Sequence, residues 1–265
     1  MNEFLDVAIR AAYQAGKFLL DNLDGVREIH YKGKGHINPW SQIDEEAEEI
    51  IFSVIRHTFP EHSFISEERG GKDTPSDYTW VIDPLDGTIN FIHKYRYFSV
   101  SIALLYREDI LLGVVYNPLI DEMFTAVKGN GAYLNERRIQ VSTTSTLDKS
   151  LLAMGFSYDR NSEAFSRSVK YFVRLLRGSQ AIRRDGSTAL DLCNVACGRY
   201  DGFCIIGNEL WDYAAGTVIV AEAGGKVTDF KGNLFHINNN NNEVLATNGK
   251  IHGIILKCFA DEEAT

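Results

Sequence analysis

The sequence predicts layered helices and sheets, antiparallel in the first half and mixed in the second. Three observations predict it. The chain opens on an amphipathic helical stripe, a β-rich stretch broken by turn residues runs from Phe98 to Val127, and strands alternate with helices after about Ser142. With 265 residues and 45% hydrophobic content, the chain supplies a sizeable core for one large unit or two closely packed lobes. The change of texture near Ser142 divides it into an α+β lobe, 1–141, and an α/β lobe, 142–265.

Residues 3 to 22 form the first helix, with Phe4, Val7, Ala8, Ala11, Ala15, Phe18 and Leu19 on one face. The Gly/Lys-rich loop YKGKGHINPW leads to a second helix from Gln42 to His57, ended by Pro60. SFISEE reads as a short buried strand ending in carboxylates, and YTWVIDP as another. The β-rich runs that follow are punctuated at Arg107 to Asp109, at Asn117-Pro118 and at Gly129 to Gly131, the pattern of an antiparallel meander. Beyond them, the strands LLAMGF, AIRRDGS and DGFCII alternate with the helices EAFSRSVKYFVRLLR, TALDLCNVACGR and DYAAGTVIVAEAGG, before closing strands near Lys226 and Val244. The Asn238 to Asn242 run reads as a polar surface turn.

The formal charge of −9 gives no long-range positive field for nucleic acid or anionic lipid, so neither direct nucleic-acid binding nor a membrane partner is expected. An anionic substrate then needs a locally positive site. The N-terminus shows no signal-peptide pattern, and no run approaches the roughly eighteen apolar residues of a membrane helix. Cys193, Cys197, Cys204 and Cys258 are few and late in the chain, which points to reduced thiols and a cytoplasmic placement. Cys193 and Cys197 have helical spacing without a nearby His, and read as core.

The stretch YTWVIDPLDGTINF, residues 78–91, carries the first candidate chemistry. Pro84 cannot donate to a sheet ladder, so the strand is expected to stop at Asp83. Asp83 and Asp86 then sit at its exit, Gly87 allows close backbone approach, and Thr88 begins a helix whose free amides suit an anion. The alternative is an ordinary turn with an Asx cap. Glu67 and Glu68 are either active-site carboxylates or a solvated pair. Asp212 is an N-cap, a ligand, or both. Gly186, Ser187 and Thr188 enter a helix and offer a second set of amides. If Glu67, Asp83, Asp86 and Asp212 converge, their mutual repulsion calls for protonation or bound cations. An all-oxygen donor set suits Mg²⁺ or Mn²⁺, and a pair of such ions suits in-line attack of water on a phosphate ester. No P-loop motif occurs.

WVIDPLDGTINF, FISEE and LWDYAAGTVIVAEAGG, in this order, resemble the inositol monophosphatase family, and the match runs from the first helix to the final strands. The resemblance implies a five-layer αβαβα sandwich of the sugar-phosphatase type, a homodimer, and a Mg²⁺-dependent, lithium-sensitive phosphomonoesterase with two or three ions per site and metal-activated water attack. It implies that Glu67, Asp83 and the Leu85 carbonyl hold a first ion and that Asp83, Asp86 and Asp212 hold a second. Thr88 with Glu67 orients the water, Asp44 supports Thr88, and the Gly87 and Thr88 amides hold the phosphate. Asp86, Asp212 and the Gly186, Ser187 and Thr188 segment face the alcohol.

Two departures stand out. NPWSQID replaces a more polar family pattern at residues 38–44, with Asn38, Trp40 and Ser41 in place but Asp44 retained. Members that grip inositol through a glutamate place it seven residues before the Trp-Asp aspartate, and here that position is Ile205, which cannot accept hydrogen bonds from hydroxyls. The expected substrate is therefore inositol monophosphate among several small phosphate esters. An NADP(H) 2′-phosphatase or a broad sugar or nucleotide phosphatase, with Ile205 or Trp40 against an apolar surface, is the alternative, and a regulatory protein that retains the fold is the outlying one.

Overall fold

The computed structural model describes residues 2–25, 29–31, 39–71, 75–234 and 243–260. Asn38, most of the Gly/Lys-rich loop and the Asn238 to Asn242 run lie outside the described residues.

In chain order the elements are α1 (Asn2–Asp21), β1 (Ile29–Tyr31), β2 (Pro39–Ser41), α2 (Gln42–Thr58), β3 (Ser63–Ser66), β4 (Tyr78–Asp86), α3 (Thr88–Ile92), β5 (Ser99–Tyr106), β6 (Asp109–Asn117), β7 (Glu122–Val127), β8 (Gly131–Leu134) and β9 (Arg137–Arg138). There follow β10 (Leu151–Met154), α4 (Glu163–Gly178), β11 (Ala181–Arg183), α5 (Thr188–Ala196), β12 (Gly202–Ile206), α6 (Leu210–Glu222), β13 (Lys226–Thr228), β14 (Glu243–Thr247) and α7 (His252–Ala260). Strands β3 to β9 form a seven-stranded sheet in sequence order, antiparallel except for the parallel β3–β4 pair. The second sheet is mixed, in the order β11-β10-β12-β14-β13.

Alternation along the strands divides the core into three apolar layers. Trp80 and Ile82 face α1 and α2, whereas Val81 faces the α5–α6 layer. In the second sheet Phe203 and Ile205 face that same helical layer from the other side, while Cys204 and Ile206 turn outward to α4 and α7. The result is the expected αβαβα stack. Fully buried side chains such as Trp80, Phe52, Phe64 and Phe203 each contribute roughly 1.5–3 kcal/mol by leaving water. Ala8, Ala11, Ala12 and Ala15 are completely buried on α1, and their small size lets that helix lie close against α2 and β6.

Three local expectations are corrected. Strand β4 does not stop at Asp83: it continues through Pro84 to Asp86, with a register shift between Asp83 and Asp86 that exempts Pro84 from the ladder. Glu67 and Glu68 lie in the turn just beyond β3 rather than within it. Asp212 is the third residue of α6, whose N-cap is Glu209, and it accepts a hydrogen bond from the Glu209 amide at 2.8 Å. The closing helix α7 has no counterpart in the sequence reading.

Candidate active site

The parallel register of β3 and β4 brings the first two carboxylates together. Ser66 pairs with Ile82, so Glu67 follows beside Asp83, and the Glu67 amide donates to the Ile82 carbonyl at 3.3 Å. Asp83 shares the parity of Val81 and so faces the α5–α6 layer, toward the start of α6 where Asp212 sits. The Leu85 amide donates to Asp83 Oδ1 at 3.0 Å, an Asx turn that carries the chain over Pro84. The turn and the site are thus the same structure.

Gly87 adopts φ 99° as the N-cap of α3. A Cβ there would lie 3.1 Å from the Tyr97 carbonyl, so both conformation and space require glycine. Thr88 follows, and its hydroxyl is placed to donate to the Leu85 carbonyl at 3.1 Å or to Asp44 Oδ1 at 3.3 Å. Asp44 is itself fixed by the Ser41 amide and hydroxyl, at 2.8 and 2.7 Å. Burial pushes the Asp44 carboxyl up to about 6.

Glu67, Asp83, Leu85, Asp86, Gly87, Thr88 and Asp212 all line one cleft of about 320 Å³, with Ser157, Tyr158, Asp159, Asn208, Glu209 and Trp211 on its other walls. Burial raises the Asp83 carboxyl well above its usual range, and the neighbouring Glu67, Asp86 and Asp212 raise it further. Asp212 is raised first by burial and then by Glu67 and Asp86. Clustered acids with no Lys or Arg among the described residues of the cleft wall are the electrostatic signature of a cation site. Among the described residues no three His, Cys, Asp or Glu side chains stand close enough to hold an ion by themselves. The three-carboxylate set expected for the second ion is therefore not drawn into a closed cage. A hard cation bound here would complete its shell with carbonyl and water oxygens, as Mg²⁺ does.

Asp86 is held differently. Ser187 Oγ, the Ala189 amide at 2.8 Å, the Thr188 amide at 3.1 Å and Ser99 Oγ at 3.3 Å all donate to its carboxylate. The second set of amides, expected to face the alcohol, is thus spent on Asp86. Burial still pushes the Asp86 carboxyl up to about 6 against these bonds.

A smaller pocket of about 50 Å³ opens off the cleft and shares Asp86, Tyr158, Asn208 and Asp212 with it. Gly186, Ser187, Thr188 and Ile205 line it, joined by Gly155, Phe156, Arg184 and Asp191. A Cβ on Gly155 would lie 2.1 Å from Ile205 Cδ1, so this glycine is what makes room for the isoleucine. Trp40 lines neither space; its indole stacks on His30 at 4.7 Å.

Sequence reasoning missed Ser99, Tyr158, Asn208 and Asp191. Asp191 had one signal, the single acid inside the buried helix TALDLCNVA; Tyr158 and Asn208 had none.

Fold and cleft together define a phosphoric monoester hydrolase of the layered α/β type. The chain belongs to the inositol monophosphatase family, whose sequence profile matches residues 1–263. It is 42% identical to an inositol-1-monophosphatase of Synechocystis sp. over 98% of this chain and 90% of the relative. It is 39% identical to the Nus factor SuhB of Escherichia coli K12, over 99% and 97% of the two chains. The solved inositol monophosphatase of Anabaena (Nostoc) sp. superposes with a TM-score of 0.88 at 39% identity, covering 100% of this chain and 99% of that one.

Proposed function

We propose that the protein hydrolyses inositol monophosphate and related small phosphate esters in a Mg²⁺-dependent reaction. The observation that carries this reading is the convergence of Glu67, Asp83, Asp86, Asp212, the Leu85 carbonyl and Thr88 on one cleft. The oxygen-only donor set and the repulsion among its buried carboxylates fit two or three hard cations, Mg²⁺ foremost and Mn²⁺ as a substitute. Glu67, Asp83 and the Leu85 carbonyl would hold one, and Asp83, Asp86 and Asp212 a second. When bound, such ions supply Lewis acidity toward water and toward the phosphate oxygens.

The chain's own residues do the rest. Thr88 donates its single hydroxyl proton toward Asp44 or Leu85, which leaves its lone pairs facing the cleft to accept from the attacking water. Glu67 is the carboxylate beside it that takes the water's second hydrogen bond and its proton. The Gly87 and Thr88 amides receive the phosphate oxygens, and Asp86, locked by its four donors, keeps its carboxylate pointed at the same place.

Ile205 supports a second reading of substrate scope. Its apolar side chain gives no acceptor for a sugar hydroxyl and favours an ester with an apolar face, such as the 2′-phosphate of NADP(H). Phosphate release from myo-inositol 1-phosphate, NADP⁺, fructose 1,6-bisphosphate and 3′-phosphoadenosine 5′-phosphate, with Mg²⁺ and with EDTA, tests both readings. A preference of two orders of magnitude for inositol phosphate would remove the second. The homodimer, the cytoplasmic placement and lithium sensitivity belong to the same proposal, checked by light scattering, fractionation and inhibition. The relative named Nus factor SuhB motivates a regulatory role beside catalysis, which a metal-ligand variant would leave intact.

A further inference from the structure

We propose that Asp191 selects the leaving alcohol by accepting a hydrogen bond from a second donor on it, a hydroxyl or N–H beyond the ester carbon. The inference rests on the phosphatase reading and names the substrate class it takes: monophosphates of diols, polyols or amino alcohols rather than of simple alcohols.

Asp191 lies one helical turn after Thr188, so both present to the same side of α5, and both line the small pocket beside the cleft. Its side chain is 2% exposed. The Tyr97 hydroxyl donates to Oδ1 at 2.8 Å and itself accepts from Asn194 Nδ2 at 2.7 Å. Asn194 Oδ1 in turn accepts from Arg199, which is anchored on Glu122 at 2.7 Å. Tyr97 has one proton to give, so the chain of bonds orients the Asp191 carboxyl and leaves its other oxygen without a donor among the described residues. Capping does not explain the residue. The Thr188 and Ala189 amides go to Asp86, and the Leu190 amide goes to Ser187 Oγ. That oxygen is not among the fully enclosed atoms that lack a partner, and Asp191 lines the small pocket, so the acceptor is open to a donor entering there. Ile205 and Phe156 offer no polar atom there, Arg184 can only donate, and the Thr188 hydroxyl already accepts from Asn208 at 2.9 Å, while Tyr158 adds a hydroxyl to the same wall. Burial also raises the Asp191 carboxyl well above its usual range, with the Tyr97 hydrogen bond acting in the opposite direction.

The test uses two esters that differ by one hydroxyl, cyclohexyl phosphate and the monophosphate of 1,2-cyclohexanediol. The native protein should favour the diol ester at least tenfold in kcat/KM, and in Asp191→Asn the ratio should fall to within about twofold of one. Tyr97→Phe, which frees the carboxyl to rotate, should lower the ratio partway. A ratio that survives both substitutions, or a native ratio near one, overturns the assignment; damage to packing alone lowers both rates and leaves the ratio in place. Calorimetric binding of the same pair to Asp83→Asn reads the discrimination without turnover. Absence of phosphate release by the native protein would count against the hydrolase reading, while equal binding of the two esters would count against Asp191.

Discussion

The cleft and the pocket that opens off it share four residues and little else. In the cleft, Glu67 follows a strand end, Asp83 and Asp86 flank a bulge, Thr88 starts a helix and Asp212 lies in the first turn of another. Each sits at a strand end, bulge or helix start, although Asp86 is also held by Ser99 and by the distant start of α5. The pocket instead joins Gly155, Asp191, Ile205 and Arg184 from separate elements, and its Asp191 carboxyl is oriented by Tyr97, 94 residues earlier in the chain. Local signals mark most of the cleft residues, whereas long-range packing assembles the pocket.

Four measurements test the contrast between cleft and pocket. Asp83→Asn removes the carboxylate common to both proposed cation positions, and Mg²⁺-dependent phosphate release should fall roughly a thousandfold, with the fold retained by circular dichroism. A tenfold loss or less would mean that the cleft does not work through Asp83. Thr88→Ala should lower kcat about a hundredfold with little change in KM, because it touches water rather than the alcohol. A change confined to KM would move Thr88 from the water to the substrate.

In the pocket the effects are smaller. Ile205→Glu places an unbranched acceptor against Gly155 and should raise the preference for myo-inositol 1-phosphate over an apolar ester about tenfold, read as a ratio of kcat/KM values. If the ratio does not move, Ile205 is core and not a selector.

The smallest effect lies outside both regions. His252 is buried between the Thr228 and Thr247 hydroxyls, at 2.9 and 2.8 Å. Burial, and then Lys226, lower its pKa from 6.5 to about 4. The unfolded chain takes up a proton below about 6.5 while the folded one stays neutral, so this contribution is complete above that pH and is lost as pH falls toward 4. Going from pH 7.5 to 5.5 should cost about 1 kcal/mol, seen as a difference in urea midpoints that disappears in His252→Gln. Catalysis measured at a permissive temperature should be insensitive to that substitution.

Much of the cleft was legible because its signals are short. Pro84 between two aspartates, Gly87 before Thr88, and an acid in the first turn of α6 each announce a local geometry. What misled was also local. Pro84 was expected to end β4, yet the bulge lets the strand pass it. The amides after Gly186 were expected at the substrate, yet they hold Asp86 across 101 to 103 residues of sequence. A helix start shows that it needs an acceptor; it does not show which one. Asp191 carried only a weak signal for the same reason, since the sequence does not show that Tyr97 would hold it or that it would line a pocket with Ile205.

The sequence by itself determined the alternation of elements, the family, and the identity of the carboxylates and the threonine in the cleft, because turns, caps and strand ends are written in adjacent residues. Only the packed fold shows that Ser187 and its following amides serve Asp86, that Trp40 stands on His30 away from either space, and that Asp191 and Ile205 line one small pocket. These depend on which faces of distant elements meet when three apolar layers close, and no short stretch of the chain carries that information.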